Sequence, residues 1–335
     1  MIQTRFHRIG KGEPVYLIAE IGLNHNGDAD LAIRSLEAAA RSGAQCAKFQ
    51  LFDSSLFING NASLGDGGPG SLQTFFSQFE LSQDVWQRVV RACDELGIDF
   101  LCSVFDEPSL DFYQSLGAKE VKVASTDLTC RPLLESMRRR GLSIYLSTGA
   151  SNQEEIDRTI SWIGAPELLF QCVSSYPADP SDYDLPVLQS WARYGCELGL
   201  SDHCTDHSLS IAAAALGATA IERHFTLDRN LPGPDHNLSS TPDEFVALSR
   251  SLSMVQSALA GTVKECKPSE LPVRQGGRRG IYAARDLPAG HRLQASDLVA
   301  QRPGGNLAVE RMAELLNRPI NRALRSGDPV DIDLL

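Results

Sequence analysis

Positive charge is scarce in this sequence: 31 Lys and Arg stand against 42 Asp and Glu, a net charge of -11 over 335 residues. With no basic surplus to neutralise a phosphate backbone, a nucleic-acid partner is not expected, although a small anion needs only a few local cations. Long apolar runs are missing as well. The longest near-apolar stretch, "IAAAALGATAI", is too short to cross a bilayer. The opening "MIQTRFHRIGKGEP" has no apolar core of a signal peptide. The eight cysteines (46, 93, 102, 130, 172, 196, 204 and 266) never form a CxxC pair, which speaks against a zinc ribbon or redox motif. Several sit in apolar runs such as "FLCSV", where a free thiol acts as a small hydrophobe. A cytoplasmic protein with no membrane association is expected.

What the sequence does contain is a period. Apolar runs of strand length recur at 15–22, 46–50, 98–104, 121–125, 143–149, 168–176, 196–203 and 220–226. Between them lie stretches with helical apolar spacing, such as "DADLAIRSLEAAARSG" and "QDVWQRVVRACDELG". Eight alternations of this kind predict an α/β fold, a (β/α)8 TIM barrel over residues 1–260. The rival, a doubly wound open sheet, would want a phosphate-binding glycine fingerprint after an early strand, and none is present. A Gly- and Asn-rich insertion at 51–80 and a second at 227–240 are expected as loops over the barrel mouth. Residues 261–276 read as a polar linker, and 277–335 as a small, mostly β domain.

Catalytic groups of a barrel gather where its strands end. Those ends are polar here: Glu20; Lys48 and Gln50, on one face at i and i+2; Ser103; Lys122 and Ser125; Ser147; Ser174 and Tyr176; Ser201 and His203; Glu222 and His224. Taken singly, a lysine there is a solvated rim charge, a serine a cap, a histidine a hydrogen-bonding group. Their convergence is the stronger signal, because lysines inside a barrel mouth are costly unless an anion neutralises them. Two lysines with several hydroxyls suit a phosphate and a carboxylate. Two histidines with Glu222 nearby suit a divalent metal such as Mn, Fe, Co or Zn.

The motifs "IAEIGLNHNGD", "AKFQ", "VKVAS", "LSTGAS", "LGLSDH" and "IERHFTLDRNLPGPDH" resemble, in order, those of the sialic acid synthase family. The tail "GIYAARDLPAGHRLQASDLVAQRPGG" resembles that family's antifreeze-like SAF (β-clip) domain. The resemblance implies condensation of phosphoenolpyruvate with an N-acylated aldose, such as N-acetylmannosamine, to a nine-carbon 2-keto acid and phosphate. It implies a divalent metal, Mn with Mg, Co or Fe as alternatives, on His203 and His224. It implies catalytic roles for Glu20, Glu222, Lys48 and Lys122. Phosphoenolpyruvate would lie against these lysines with Ser125, Ser147 and Ser201, and with Ser103 and Ser174. The sugar would lie against Gln50, Tyr176 and Asp235. The implied assembly is a domain-swapped homodimer in which Arg302 reaches the sugar's acyl group in the partner's site. The sequence departs from the pattern at Leu51 and Ser103 (usually Thr), at Ser174 and Ser175 (Asn and an apolar residue), and at Asp127 (Glu).

Two rivals stand beside this reading. A metal-dependent aldolase or related barrel synthase would make another 2-keto sugar acid, of legionaminic or pseudaminic type for instance. A non-catalytic ice- or carbohydrate-binding role for the tail fits poorly, since Arg278, Arg279, Arg285, Asp286 and Arg292 crowd a surface that ice binding needs flat and regular.

Overall fold

The apolar runs form eight parallel strands: β1 (Tyr16–Gly22), β2 (Cys46–Leu51), β3 (Asp99–Val104), β4 (Glu120–Val123), β5 (Ser143–Ser147), β6 (Leu168–Cys172), β7 (Glu197–Asp202) and β8 (Ala220–His224). β8 pairs with both β7 and β1, so the sheet closes into the expected barrel. These features come from a computed structural model that describes residues 1–63, 71–304 and 307–335. Within it the chain divides into two compact units, Met1–Ala260 and Gly261–Leu335.

Side chains alternate across each strand, and the two faces carry different sequences. Outward-facing Leu17, Ala19, Ile21, Phe49, Val121 and Val123 pack in the main core. Its other wall comes from the helices α1 (Ala29–Arg41), α2 (Gln83–Leu96), α3 (Glu107–Ser115), α4 (Arg131–Arg139), α5 (Gln153–Ile163), α6 (Val187–Trp191), α7 (Ser208–Ala215) and α8 (Pro242–Ala258). On α2, for example, Trp86, Val89 and Cys93 recur at helical spacing and are buried, while its other face is polar. Asn152 and Glu155 start α5 with a reciprocal capping box.

Inward-facing Ile18, Cys46, Leu101, Tyr145, Phe170 and Ala220 fill the lower interior. Gly199 is required there by close approach: a Cβ would lie 2.6 Å from the Phe170 ring. Above this apolar layer the inward positions turn polar, and the register sets them side by side. Glu20 pairs with Lys48, Gln50 with Ser103, Ser103 with Lys122, Ser201 with Glu222, and His224 with Glu20.

The insertion after β2 differs from the expected loop. Short helices occupy Ser54–Phe57 and Leu72–Ser77, and Phe52, Phe57, Phe75, Phe76 and Phe79 cluster with Leu23 and Phe105. Its aromatic side chains supply a small core that the glycines obscure in the sequence. Residues 64–70 of it lie outside the described residues.

In the second unit, β9 (Gly280–Ala283) pairs antiparallel with β10 (Leu298–Gln301) over a core that includes Ile281, Leu293, Leu315, Ile320 and Val330. Asp297 is fully buried there and accepts from the Gln294 amide, Arg285 and His291. The stretch read as linker carries a helix at Leu271–Gly277.

Candidate active site

At the carboxyl end of the barrel lies a cavity of about 540 Å³, lined by thirteen of the fifteen residues singled out above: Glu20, Lys48, Gln50, Ser103, Lys122, Ser125, Ser147, Tyr176, Ser201, His203, Glu222, His224 and Asp235. They come from every strand of the barrel or its following loop, as the strand-end pattern predicted. Ser174 is not among the lining residues. β6 ends at Cys172, and beyond it the Ser174 hydroxyl lies against Gly149, where a Cβ would sit only 2.2 Å away. Arg302 belongs to the second unit and is exposed.

Four charges form the floor. Lys48 Nζ lies 2.7 Å from Glu20 Oε2 and 3.7 Å from Glu222 Oε2. Lys122 Nζ lies 3.6 Å from Glu222 Oε1, donates to Ser147 Oγ at 2.5 Å, and stands 5.2 Å above the Phe170 ring. Ser201 donates to Glu222 Oε1 at 3.1 Å, and the Gln50 amide donates to Glu20 Oε1 at 3.3 Å. All four charged side chains are buried.

Burial opposes each charge, and the neighbours decide the outcome. For Glu222, burial is outweighed by Lys122 and Lys48, which hold its carboxyl well below the usual range. Burial pushes the Lys48 ammonium down, but Glu20 and Glu222 push it further up. Lys122 stays below its ordinary value because burial exceeds the pull of Glu222. Two cations are thus held by two carboxylates.

The histidines stand beside this box with ring centres 5.4 Å apart. His203 Nδ1 donates to the Val173 carbonyl at 2.7 Å, which fixes the tautomer and leaves the Nε2 lone pair free. His224 Nδ1 is buried without a hydrogen-bond partner, with Asp235 Oδ2 3.7 Å away. Tyr176 covers the pair, 4.2 Å from the His203 ring. One oriented imidazole and one orphaned buried nitrogen fit a divalent cation. Among the described residues no cage of three or more His, Cys, Asp or Glu side chains exists. A two-histidine site leaves positions open to water and substrate.

Two features escaped the sequence reading, and a third, Asp127, was noted only as a departure from the family pattern. Cys172 was grouped with the core thiols, yet it lines the cavity and accepts from Ser125; its period-two spacing from Phe170 was the available signal. Asp127 faces the cavity, and burial pushes its carboxyl up to about 6. Phe57, Phe76 and Phe105 form an aromatic wall.

A closed parallel barrel whose mouth holds paired lysines, carboxylates and a histidine couple defines an enzyme that handles small anions at its strand ends. The chain belongs to the NeuB family: that family's model matches residues 35–264, and the SAF domain model matches 278–335. It is 32% identical to the N,N'-diacetyllegionaminic acid synthase of Legionella pneumophila over 95% of this chain and 94% of that protein. It is also 32% identical to the human N-acetylneuraminate-9-phosphate synthase over 84% and 81%. A crystal structure of N-acetylneuraminic acid synthetase from Leptospira borgpetersenii, in complex with citrate, superposes with a TM-score of 0.72 at 31% identity, covering 81% of this chain and 94% of that one. The family consists of C–C bond-forming sugar-acid synthases, and this chain is one of its enzymes.

Proposed function

We propose that the protein condenses phosphoenolpyruvate with an N-acylated aldose, N-acetylmannosamine or a related hexosamine, giving a nine-carbon 2-keto sugar acid and phosphate. The observation that carries this reading is the buried box of Lys48, Lys122, Glu20 and Glu222 beside a histidine couple. Phosphoenolpyruvate brings a carboxylate and a phosphate, and the two ammoniums with the Ser125, Ser147 and Ser201 hydroxyls match them. Ser103 faces the same volume. Gln50, Tyr176 and Asp235, which also line the cavity, are assigned to the acceptor.

The enol carbon of phosphoenolpyruvate attacks the acceptor's aldehyde carbon, forming the new C–C bond as the carbonyl π pair moves to the aldehyde oxygen, which takes up a proton to become a hydroxyl, and leaving a cationic centre at C2. Glu20 and Glu222 offset that developing charge. Water adds to C2, giving a proton to a carboxylate; this step is assigned to Glu20, which Gln50 and Lys48 hold. The tetrahedral adduct expels phosphate by C–O cleavage, and the lysines stabilise the departing charge. His203 and His224 would hold a divalent cation, Mn in this reading with Mg, Co or Fe as alternatives, which supplies Lewis acidity at the acceptor carbonyl.

Arg302 is assigned to the acyl group of the sugar in a partner's site within a domain-swapped homodimer. Eight unpaired cysteines suit a reducing cytoplasm, and among the described residues no helix is long and apolar enough to cross a membrane.

The test is phosphate release from phosphoenolpyruvate with Mn and an N-acyl hexosamine, beside EDTA-treated enzyme and His224→Ala. Release that requires acceptor and is lost in both controls is expected. Release without acceptor, or undiminished by EDTA, would refute the reading.

A further inference from the structure

The cavity's charge and its walls bear on which acceptor it takes. Among the described lining residues, Lys48 and Lys122 are the only Lys or Arg, and both lie on the floor against Glu20 and Glu222. Among the described residues of the barrel, no cation is left over for a second phosphate. The stretches leaving the strand ends (23–28, 52–82, 105–106, 124–130, 148–152, 173–186, 203–207 and 225–241) contain a single Lys or Arg, Arg229, against twelve Asp and Glu. Arg229 is already committed to Glu244 at 2.7 Å and to the Ser239 carbonyl. The insertion after β2 carries no Lys, Arg or His anywhere between 51 and 80, its undescribed part included.

The upper cavity offers instead a carboxylate and an apolar panel. Asp127 faces the cavity with no cation within ion-pair distance among the described residues, its only side-chain bond a long one from Thr126. Opposite in character stand Leu23, Phe57, Ile58, Leu72, Phe76 and Phe105. Phe57 packs on Phe76 and Phe105 with ring centres 5.3 and 5.2 Å apart, and Phe52 backs it at 5.0 Å, so the panel is a built surface. Such a surface rewards methyl and deoxy carbons and leaves hydroxyls without partners, while the Asp127 carboxylate accepts from an amide N–H or hydroxyl and repels an anion.

We propose that the acceptor is an uncharged sugar, unphosphorylated at its far end and carrying more than one apolar substituent, of the 2,4-diacetamido-6-deoxy hexose class. This rests on the condensation reading above. Phosphate on the sugar would meet Asp127 and the Phe panel, and a second acylamino group with a 6-methyl would cover the panel instead.

The experiment compares kcat/KM for three acceptors with wild-type enzyme, phosphoenolpyruvate and Mn: N-acetylmannosamine, its 6-phosphate, and a 2,4-diacetamido-2,4,6-trideoxyhexose. Like charges brought together unpaired are strongly disfavoured, so the 6-phosphate should trail the diacetamido sugar by at least about a hundredfold. Differences of one apolar group in such a pocket discriminate at least about tenfold, so N-acetylmannosamine should fall between. A preference for the 6-phosphate would overturn the inference, leave the condensation standing, and point to a cation supplied from outside the barrel. Equal or better use of N-acetylmannosamine would overturn the apolar part. No phosphate release with any of the three would sink the condensation reading itself. As a second arm, Phe76→Asn should lower the ratio of diacetamido sugar to N-acetylmannosamine at unchanged KM for phosphoenolpyruvate. A merely structural role for Phe76 would depress both acceptors alike.

Discussion

Replacing Glu222 by Gln removes the carboxylate shared by Lys48 and Lys122 while keeping the side chain's shape. Its oxygens lie 3.7 and 3.6 Å from the two ammoniums. At an effective dielectric of about 20, each such contact is worth roughly 4–5 kcal/mol before desolvation is counted. Removing one partner of a buried pair costs about 3–5 kcal/mol in practice. The lower end applies, since Glu20 still serves Lys48 and Ser147 still accepts from Lys122. A loss of about 3 kcal/mol in a unit of this size lowers Tm by roughly 6–12 °C. The variant should then respond to pH in a defined direction. Lys122 is already held below its ordinary value, and without Glu222 it falls further. Its unfolded form binds the proton more readily, so the variant gains stability as pH rises from 7 towards 9 and the gap to wild type narrows. Added phosphoenolpyruvate restores the missing negative charge and should raise Tm more in the variant than in wild type. Differential scanning fluorimetry at pH 7 and 9, with and without ligand, measures all three. A Tm within about 2 °C of wild type at pH 7, with the same ligand response, would refute the account of the box as two lysines held by two carboxylates.

Three further outcomes are expected. Gly199→Ala places a Cβ 2.6 Å from the Phe170 ring and 2.9 Å from the Ala220 carbonyl, so overpacking should cost about 1–3 kcal/mol in denaturant titration and raise KM for phosphoenolpyruvate through the displaced floor beneath Lys122. In the second unit, a backbone bond from Gln294, with His291 and Arg285, holds the Asp297 carboxyl down to about 2. Its contribution is full above the ordinary carboxylate value and is lost as pH falls from about 4 to about 2. Asp297→Asn should remove that pH dependence and lower the unit's melting temperature, and an unchanged acid-unfolding profile would contradict it. Arg302→Ala should raise KM for the acceptor and leave KM for phosphoenolpyruvate unchanged. Activity that persists in a species sedimenting as a monomer would remove the arginine from a partner's site.

The barrel was legible because its eight strands are buried on both faces, and such strands read as continuous apolar runs whatever their neighbours. The site was legible for a related reason. Lys48, Lys122, Glu20 and Glu222 are polar where a core strand has no packing use for them, so each stands out against its run. Cys172 obeys the same parity but has an apolar habit, and nothing in its type separates a lining thiol from a core one. The aromatic wall was hidden differently. Phe57, Phe76 and Phe105 come from segments far apart in sequence, and glycines around the first two suggest a loop. Only tertiary contact makes them a surface. Ser174 shows the reverse error: the run 168–176 looked like one strand, whereas pairing ends at Cys172 and parity no longer governs where the next side chains point.

The seam where β8 meets β1 has a consequence for how the protein comes to exist as a catalyst. Asn24 ties the two ends together, donating to the Phe225 carbonyl 201 positions away, and the Phe225 amide donates to the Glu20 carbonyl. Glu20 and His224 are neighbours only across that seam. A nascent chain can therefore bring Glu20 to Lys48 and Lys122 to Ser147, but it lacks Glu222 and His224 until its last barrel strand has emerged and docked on the first. Chains halted before β8 would be inert by geometry, whatever helices and strands they had already formed. Activity cannot begin before the ring is complete.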